Sequence, residues 1–195
     1  MNKQLMAVAL AAAAAVTAAP AHASRVALAA DGSWNEFDID SMLSSDGGNG
    51  WIDEVYAGDD SALSFTFTIA AGNRGTLTVV DTGFSGDTFT ITNGGAVLGT
   101  TSSVAAGTSA GATVFDYDAA LANPAYSNGV FILGAGTYSI SGTLLQSVDG
   151  DLDSTIGGVR LSVSAIPEPT NGALMIAGLA AVAALARRRK SATQI

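Results

Sequence analysis

Residues 62–70 read Ala62-Leu63-Ser64-Phe65-Thr66-Phe67-Thr68-Ile69-Ala70. Leu63, Phe65, Phe67 and Ile69 fall on one side of a pleat, and Ser64, Thr66 and Thr68 on the other. Period two in β-branched and aromatic residues is the pattern of a half-buried strand. Working outward, Gly75 to Thr82 predicts a second strand with Leu77 and Val79 facing in. Asp87 to Thr92 carries Phe89 and Ile91, turns at Asn93-Gly94-Gly95 and returns through Val97 and Leu98. Asn-Gly favours positive φ, so this segment predicts a tight hairpin. On the N-terminal side, Trp34 to Asp40 alternates imperfectly as a first strand, and Ser44 to Gly50 is a loop by composition. On the C-terminal side, Gly99 to Thr113 reads as a long loop or a poorly specified edge strand. Ala119 to Ala122 predicts one helical turn before Pro124. Val130 to Leu133 is an apolar run, turned by Gly134-Ala135-Gly136 into Tyr138, Ile140 and Leu144, and Val159, Leu161 and Val163 alternate in a last strand. Seven or eight short strands with Gly-rich turns predict an all-β, antiparallel β-sandwich of jelly-roll type.

The two ends have a different character. Lys3, an apolar run from Leu5 to Ala19 and then Ala21-His22-Ala23 make a secretory signal peptide over residues 1–23. Cleavage after Ala23 leaves Ser24 at the mature terminus. Pro167-Glu168-Pro169 opens the other end, before an apolar segment from Gly172 to Ala186 and the basic cluster Arg187, Arg188, Arg189 and Lys190. Thr170 to Ala186 is 17 residues without a charge. As a helix it is ~26 Å long, just short of the ~30 Å hydrocarbon core, and predicts a marginal transmembrane helix. The basic cluster holds its own end in the cytoplasm and leaves the preceding chain outside. The prolines disfavour helix before them, so the tripeptide is expected to be extended and exposed. The divisions are a passenger domain at 24–166, the terminal signal at 167–190 and a tail at 191–195.

The order Pro-Glu-Pro, short apolar helix, basic cluster resembles the PEP-CTERM sorting signal. That resemblance implies recognition by an exosortase-type processing enzyme, transient residence in the inner membrane of a Gram-negative cell, release to the cell surface or outside, and company with exopolysaccharide in a biofilm. The stretch from Leu77 to Thr101, with Tyr126-Ser127-Asn128-Gly129 and Leu133-Gly134-Ala135-Gly136-Thr137-Tyr138, is similar to a recurrent group of PEP-CTERM passenger domains. The second resemblance bears on fold and carries no chemistry.

The passenger, Ser24 to Ile166, is 143 residues, enough for one domain with a sizeable core. Three arginines (Arg25, Arg74, Arg160) stand against sixteen Asp and Glu, a net charge of 3 − 16 = −13. That balance argues against nucleic acid or an anionic membrane surface as partner. The chain has no cysteine, its one histidine is His22, and its two lysines, Lys3 and Lys190, lie in the terminal signals. A mature domain without Cys, His or Lys cannot run a Ser-His-Asp or Cys-His mechanism, hold zinc or copper by their usual ligands, or form a Schiff base. Carboxylate chemistry remains.

Three arrangements of the remaining groups suggest sites. Asp149-Gly150-Asp151-Leu152-Asp153 spaces its carboxylates like the opening of an EF-hand loop. Ser154 stands where that loop needs glycine and Arg160 where it needs a closing glutamate, so the segment reads either as a polar turn or as a partial calcium loop. Trp34, Trp51 and Tyr56, set among nine acidic residues between Asp31 and Asp60, read either as sandwich core or as a carbohydrate-stacking platform. Paired carboxylates could serve a glycan-active enzyme. The leading expectation is a non-enzymatic structural or adhesive surface protein, with a calcium- or carbohydrate-binding module as its rival.

Overall fold

The computed structural model describes residues 23–44, 48–105, 113–147, 154–167 and 171–191. The strands are β1 (Ala23–Ala27), β2 (Asn35–Asp40), β3 (Ala62–Ile69), β4 (Asn73–Thr82), β5 (Thr88–Asn93), β6 (Ala96–Thr100), β7 (Asn128–Leu133), β8 (Gly136–Gln146) and β9 (Ser154–Ala165). Two helices, α1 (Tyr117–Leu121) and α2 (Asn171–Ser191), complete the elements. One sheet runs β1-β3-β8-β5-β6 and the other β2-β9-β4-β7. Their apolar faces share one core: Phe37, Leu77, Val79, Val159 and Leu161 from the four-stranded sheet meet Phe65, Ile69, Phe89, Ile91 and Ile140 from the five-stranded one. The chain therefore folds as an all-β sandwich.

Alternation drives this arrangement. In β3 the burial pattern puts Leu63, Phe65, Phe67 and Ile69 inside, as period two requires. The predicted hairpin forms between β5 and β6, with Asn93 opposite Ala96. Gly94 and Gly95 both have positive φ, 54° and 85°, which a two-residue turn of this hand demands. α1 starts at Asp116, whose carboxylate accepts the Ala119 amide at 2.8 Å and caps the helix. It packs Ala120 against Val80 and Tyr126 on the outer side of the four-stranded sheet.

One element departs from the antiparallel expectation. β1 pairs with β3 in parallel, Ala23 opposite Ala62 through Ala27 opposite Thr66. Only Val26 of this strand packs against the core, so it carries none of the hydrophobic alternation that marks the others. The proposed cleavage residues Ala23 and Ser24 lie in it, whereas Ala21 and the rest of the signal-peptide segment lie outside the described residues. The 99–113 segment contributes the end of β6 and then irregular chain to Ala105.

At the C-terminus, Ile166 and Pro167 are non-helical and exposed, and Glu168 and Pro169 lie outside the described residues. α2 forms over the predicted apolar segment, but the expected transmembrane helix needs correction. Among the described residues no helix is long and apolar enough to cross a membrane. The helix reaches Arg187 after 16 uncharged residues, Asn171 to Ala186, a rise of only ~24 Å. Its large apolar side chains are uncovered: Leu174, Met175, Ile176, Leu179 and Val182 are each about two-thirds exposed or more.

Candidate functional site

β2 is where sequence charge and fold geometry meet. Phe37 and Ile39 point into the core, so Glu36, Asp38 and Asp40 must share the outer face of the four-stranded sheet. β2 pairs with β9, placing Glu36 opposite Gly158. A Cβ on Gly158 would sit 2.4 Å from the Tyr117 ring and 3.1 Å from the Trp34 ring. The bare backbone of Gly158 is thus the seat on which both rings rest, beside Glu36.

Two tyrosines converge on Glu36. The Tyr117 hydroxyl donates to Glu36 Oε2 at 2.6 Å, and the Tyr56 hydroxyl donates to the Glu36 carbonyl at 3.3 Å. Trp34 lies against Tyr117 with ring centroids 5.3 Å apart. The Arg160 guanidinium covers Trp34 at 4.3 Å and pairs with Asp118 at 2.9 Å, while the Trp34 indole N–H reaches the same Asp118 oxygen at 3.2 Å. Trp34 is therefore tied into a surface network, and Tyr56, 41% exposed, presents the most open ring.

The carboxyls here are crowded. Burial, followed by the charges of Glu36, Glu54 and Asp53, pushes Asp38 up to about 7. Its Oδ2 is inaccessible and has no hydrogen-bond partner. Glu54 is raised by burial and by Asp60, Asp40 and Glu36. Burial raises Tyr117 and Tyr56, and Glu36 and Asp38 add to the effect in both. Asp53 goes the other way. Burial opposes its ionisation, but Ser24 Oγ and the amides of Ala57, Tyr56 and Gly58 outweigh that and hold its carboxyl below the usual range. Tyr56 and Ala57 donate to Asp53 Oδ1 at 2.7 and 3.0 Å, and Ser24 Oγ donates to Oδ2, so Asp53 fastens the Tyr56 loop to β1.

The structure brings together two of the three predicted aromatics and separates the third. Trp34 and Tyr56 flank Glu36. Trp51 is 1% exposed and stacked on Phe37 at 4.0 Å, inside the sandwich, where no glycan reaches it. The residues that complete the face were not singled out by the sequence: Glu36, Asp38, Tyr117, Gly158 and Arg160. Only the outward alternation of Glu36 and Asp38 in β2 marks them locally; Tyr117 and Gly158 arrive from elements remote in the chain. Asp149, Asp151 and Asp153 lie outside the described residues. Among the described residues no group of three or more acidic or histidine side chains is placed to hold a metal ion.

No family model matches the chain, and no curated protein matches it in sequence. Among solved structures it is similar to the pre-peptidase C-terminal domain of a collagenase from Bacillus anthracis. Identity is 11% and the TM-score 0.37, over 74% of this chain and 98% of that one.

Proposed function

We propose that this protein is an exported jelly-roll passenger, sorted to the cell surface through its C-terminal segment, with an adhesive rather than catalytic role. The strand order β2-β9-β4-β7 over β3-β8-β5-β6 supports the jelly-roll reading. The observation that carries the sorting reading is α2. Its described apolar side chains, Leu174 to Val182, are uncovered by the domain that precedes it and call for an apolar partner. Being short for a span, it suits a segment handed to a membrane-embedded processing enzyme of the exosortase type more than a permanent anchor. Exposed Pro167 puts the start of the Pro-Glu-Pro signal within reach of such an enzyme. Glu168→Ala preserves the apolar helix and the basic cluster. In a host carrying the sorting enzyme, the variant is expected to reach the inner membrane and stay untrimmed. Trimming and release like wild type would mean that Pro-Glu-Pro is not the signal.

The passenger's partner on this reading is a neutral polysaccharide, held at the face around Glu36, Asp38 and Tyr56. Carboxylates accept hydrogen bonds from sugar hydroxyls, and a half-exposed tyrosine offers an apolar flank. The net charge of −13 over residues 24–166 disfavours an anionic polymer. Tyr56→Ala combined with Glu54→Gln is expected to weaken retention on neutral exopolysaccharide roughly 10-fold while leaving Tm within about 3 °C. Unchanged retention would remove this face from the binding role. A second reading, glycan hydrolysis, is favoured by one observation: burial pushes Asp38 up to about 7 while hydrogen bonds hold nearby Asp53 below the usual range, the separation an acid–base pair requires. Release of reducing ends that Asp38→Asn abolishes would decide for it.

A further inference from the structure

β7 is the outermost strand of the four-stranded sheet, and it pairs with β4 on one side only. Two hydrogen bonds at its start show which backbone groups face the other side. The Ser127 carbonyl accepts the Asp81 amide of β4 at 2.9 Å, and the next carbonyl, Asn128, accepts the Ser102 amide at 2.7 Å. Successive residues of a strand turn their N–H and C=O to opposite sides, so Val130 and Ile132 face away from β4 as Asn128 does. Past Asn128, no other element among the described residues bonds to that side. The Val130 and Ile132 side chains are uncovered too, 58% and 59% exposed on the outer face of the sheet. The two residues thus present an unpaired backbone and an apolar surface together.

This edge lies where the chain carries no charge. Residues 88–115 and 119–148 contain no Asp, Glu, Lys or Arg, and β5, β6, β7 and β8 fall within them. Across the ladder, Val130 and Ile132 face Thr78 and Thr76 of β4, which are also neutral. Phe131 packs beside Gly99 of β6, so β6 and β7 close the same uncharged flank. Two copies of an acidic domain repel each other unless they meet where charge is missing, and this flank is such a place. The other sheet edges are guarded. β2 carries Glu36, Asp38 and Asp40, and the Ile52 amide donates to the Asp38 carbonyl at 2.9 Å. β1 carries Arg25, and β6 meets β5 through a shift in register. From Val130 to Leu133, β7 has neither a charge nor a register shift to keep another strand away.

We propose that β7 docks on the β7 of a second copy of this chain, antiparallel about a twofold axis at Phe131, so that two four-stranded sheets continue as one. Val130 of each copy then lies opposite Ile132 of the other. Each such pair exchanges two N–H···O=C bonds, which satisfies the donors and acceptors that the free edge leaves open. On the outer face the Val130 and Ile132 side chains meet across the junction as β-branched cross-strand pairs. A glycan has no alternating row of donors and acceptors at strand spacing, so the edge selects a strand. An uncharged strand that is its own complement makes that occupant a second copy. The contact is isologous and closes as a dimer. β2 and β7 are opposite edges of their sheet, so the Glu36 face stays open when two copies are joined.

The test is sedimentation of the full chain in mild detergent, which covers α2. The chain is expected to be dimeric at about 100 µM. Ile132→Lys should weaken the dimer about 10-fold or more, while Val97→Lys on β6 leaves it unchanged. Both positions are exposed, so both variants should keep Tm within about 3 °C of wild type. The chain has no cysteine, so engineered ones report the register. Val130→Cys and Ile132→Cys proteins, mixed and mildly oxidised, are expected to cross-link to each other, because a hydrogen-bonded pair sets its Cα atoms about 5.5 Å apart. Either protein alone should cross-link several-fold less, since its like positions lie diagonally and beyond disulfide reach. A chain still monomeric at about 500 µM would overturn the proposal. So would a dimer that Ile132→Lys leaves intact, which would rest on α2 or another face, or cross-linking no greater in the mixture than in either protein alone.

Discussion

Truncation of Trp51 to alanine is expected to cost the domain about 3–5 kcal/mol and to lower Tm by roughly 10 °C or more. The indole lies flat on Phe37, interplanar angle 15°, and meets Phe65 edge-on at 6.1 Å. A glycine supports each end of the pair. A Cβ on Gly142 of β8 would come within 2.6 Å of the Trp51 ring, and one on Gly157 of β9 within 2.2 Å of Phe37. The two rings therefore span the gap between the sheets, from bare backbone to bare backbone, and their removal leaves a cavity that neither sheet can close without moving. Trp51→Phe keeps a stacked ring and discards an indole N–H that is buried without a hydrogen-bond partner, so its cost should stay below about 1.5 kcal/mol. Denaturant melts of the two variants check this. A Trp51→Ala protein that melts like wild type but no longer binds glycan would return Trp51 to the binding face.

Raising the pH from 5 to 8 in chelator is expected to destabilise the domain, against the usual behaviour of carboxylates in ion pairs. Burial holds the folded-state pKa of Asp38 at about 7, above the ordinary aspartate value of about 3.9. The folded chain thus binds more protons than the unfolded chain between those values, and stability falls as pH rises. The contribution is present in full below the unfolded pKa and is gone once the pH has passed about 7. Solvent reaches part of the group, so the loss is discounted to roughly 2 kcal/mol, or about 5 °C in Tm. Asp38→Asn should make the fall between pH 5 and 8 shallower by about that amount; the rest belongs to Asp81, which burial pushes up to about 9 and which gives a fall of the same sign. The groups facing Asp38 are Glu36, Glu54 and Asp53, all acidic, so no neighbouring cation reverses the sign. A Tm that climbs from pH 5 to 8, or an unaltered slope in the variant, would show that Asp38 ionises freely in the folded chain.

What could be read in advance was periodicity. β3, the β5–β6 hairpin and β9 follow from alternating apolar residues and an Asn-Gly-Gly turn, because each depends only on near neighbours. β1 gave no such signal: Val26 alone reaches the core, and the strand is held by its parallel ladder to β3. The same limit applies to Trp51. Composition grouped it with Trp34 and Tyr56, but its place is decided by Phe37 and by Gly142, 91 positions away in the chain, which admits the ring. The Glu36 face was hidden for a related reason. Tyr117 and Gly158 belong to it only through the β2–β9 pairing and the docking of α1. The Asp81 carboxyl resembles any other among the sixteen acids until β4 alternation turns it inward.

The β2–β9 ladder also sets the order in which the molecule can assemble. Asn35 finds its partner in Val159, on the order of 120 residues later, and β9 supplies the ladder for both β2 and β4. On the export reading, a chain threaded across a membrane from its N-terminus has only the β4–β7 pair of the second sheet, with β2 unpaired, until residues 154–165 emerge. Contacts this distant in the chain close slowly, and the unclosed sheet exposes its apolar face while it waits. The segment that follows β9 immediately is Ile166-Pro167 and then α2. A C-terminal tether would hold the closing strand at the exit side at the moment it is needed, so that retention at the membrane and completion of the fold become one event in time.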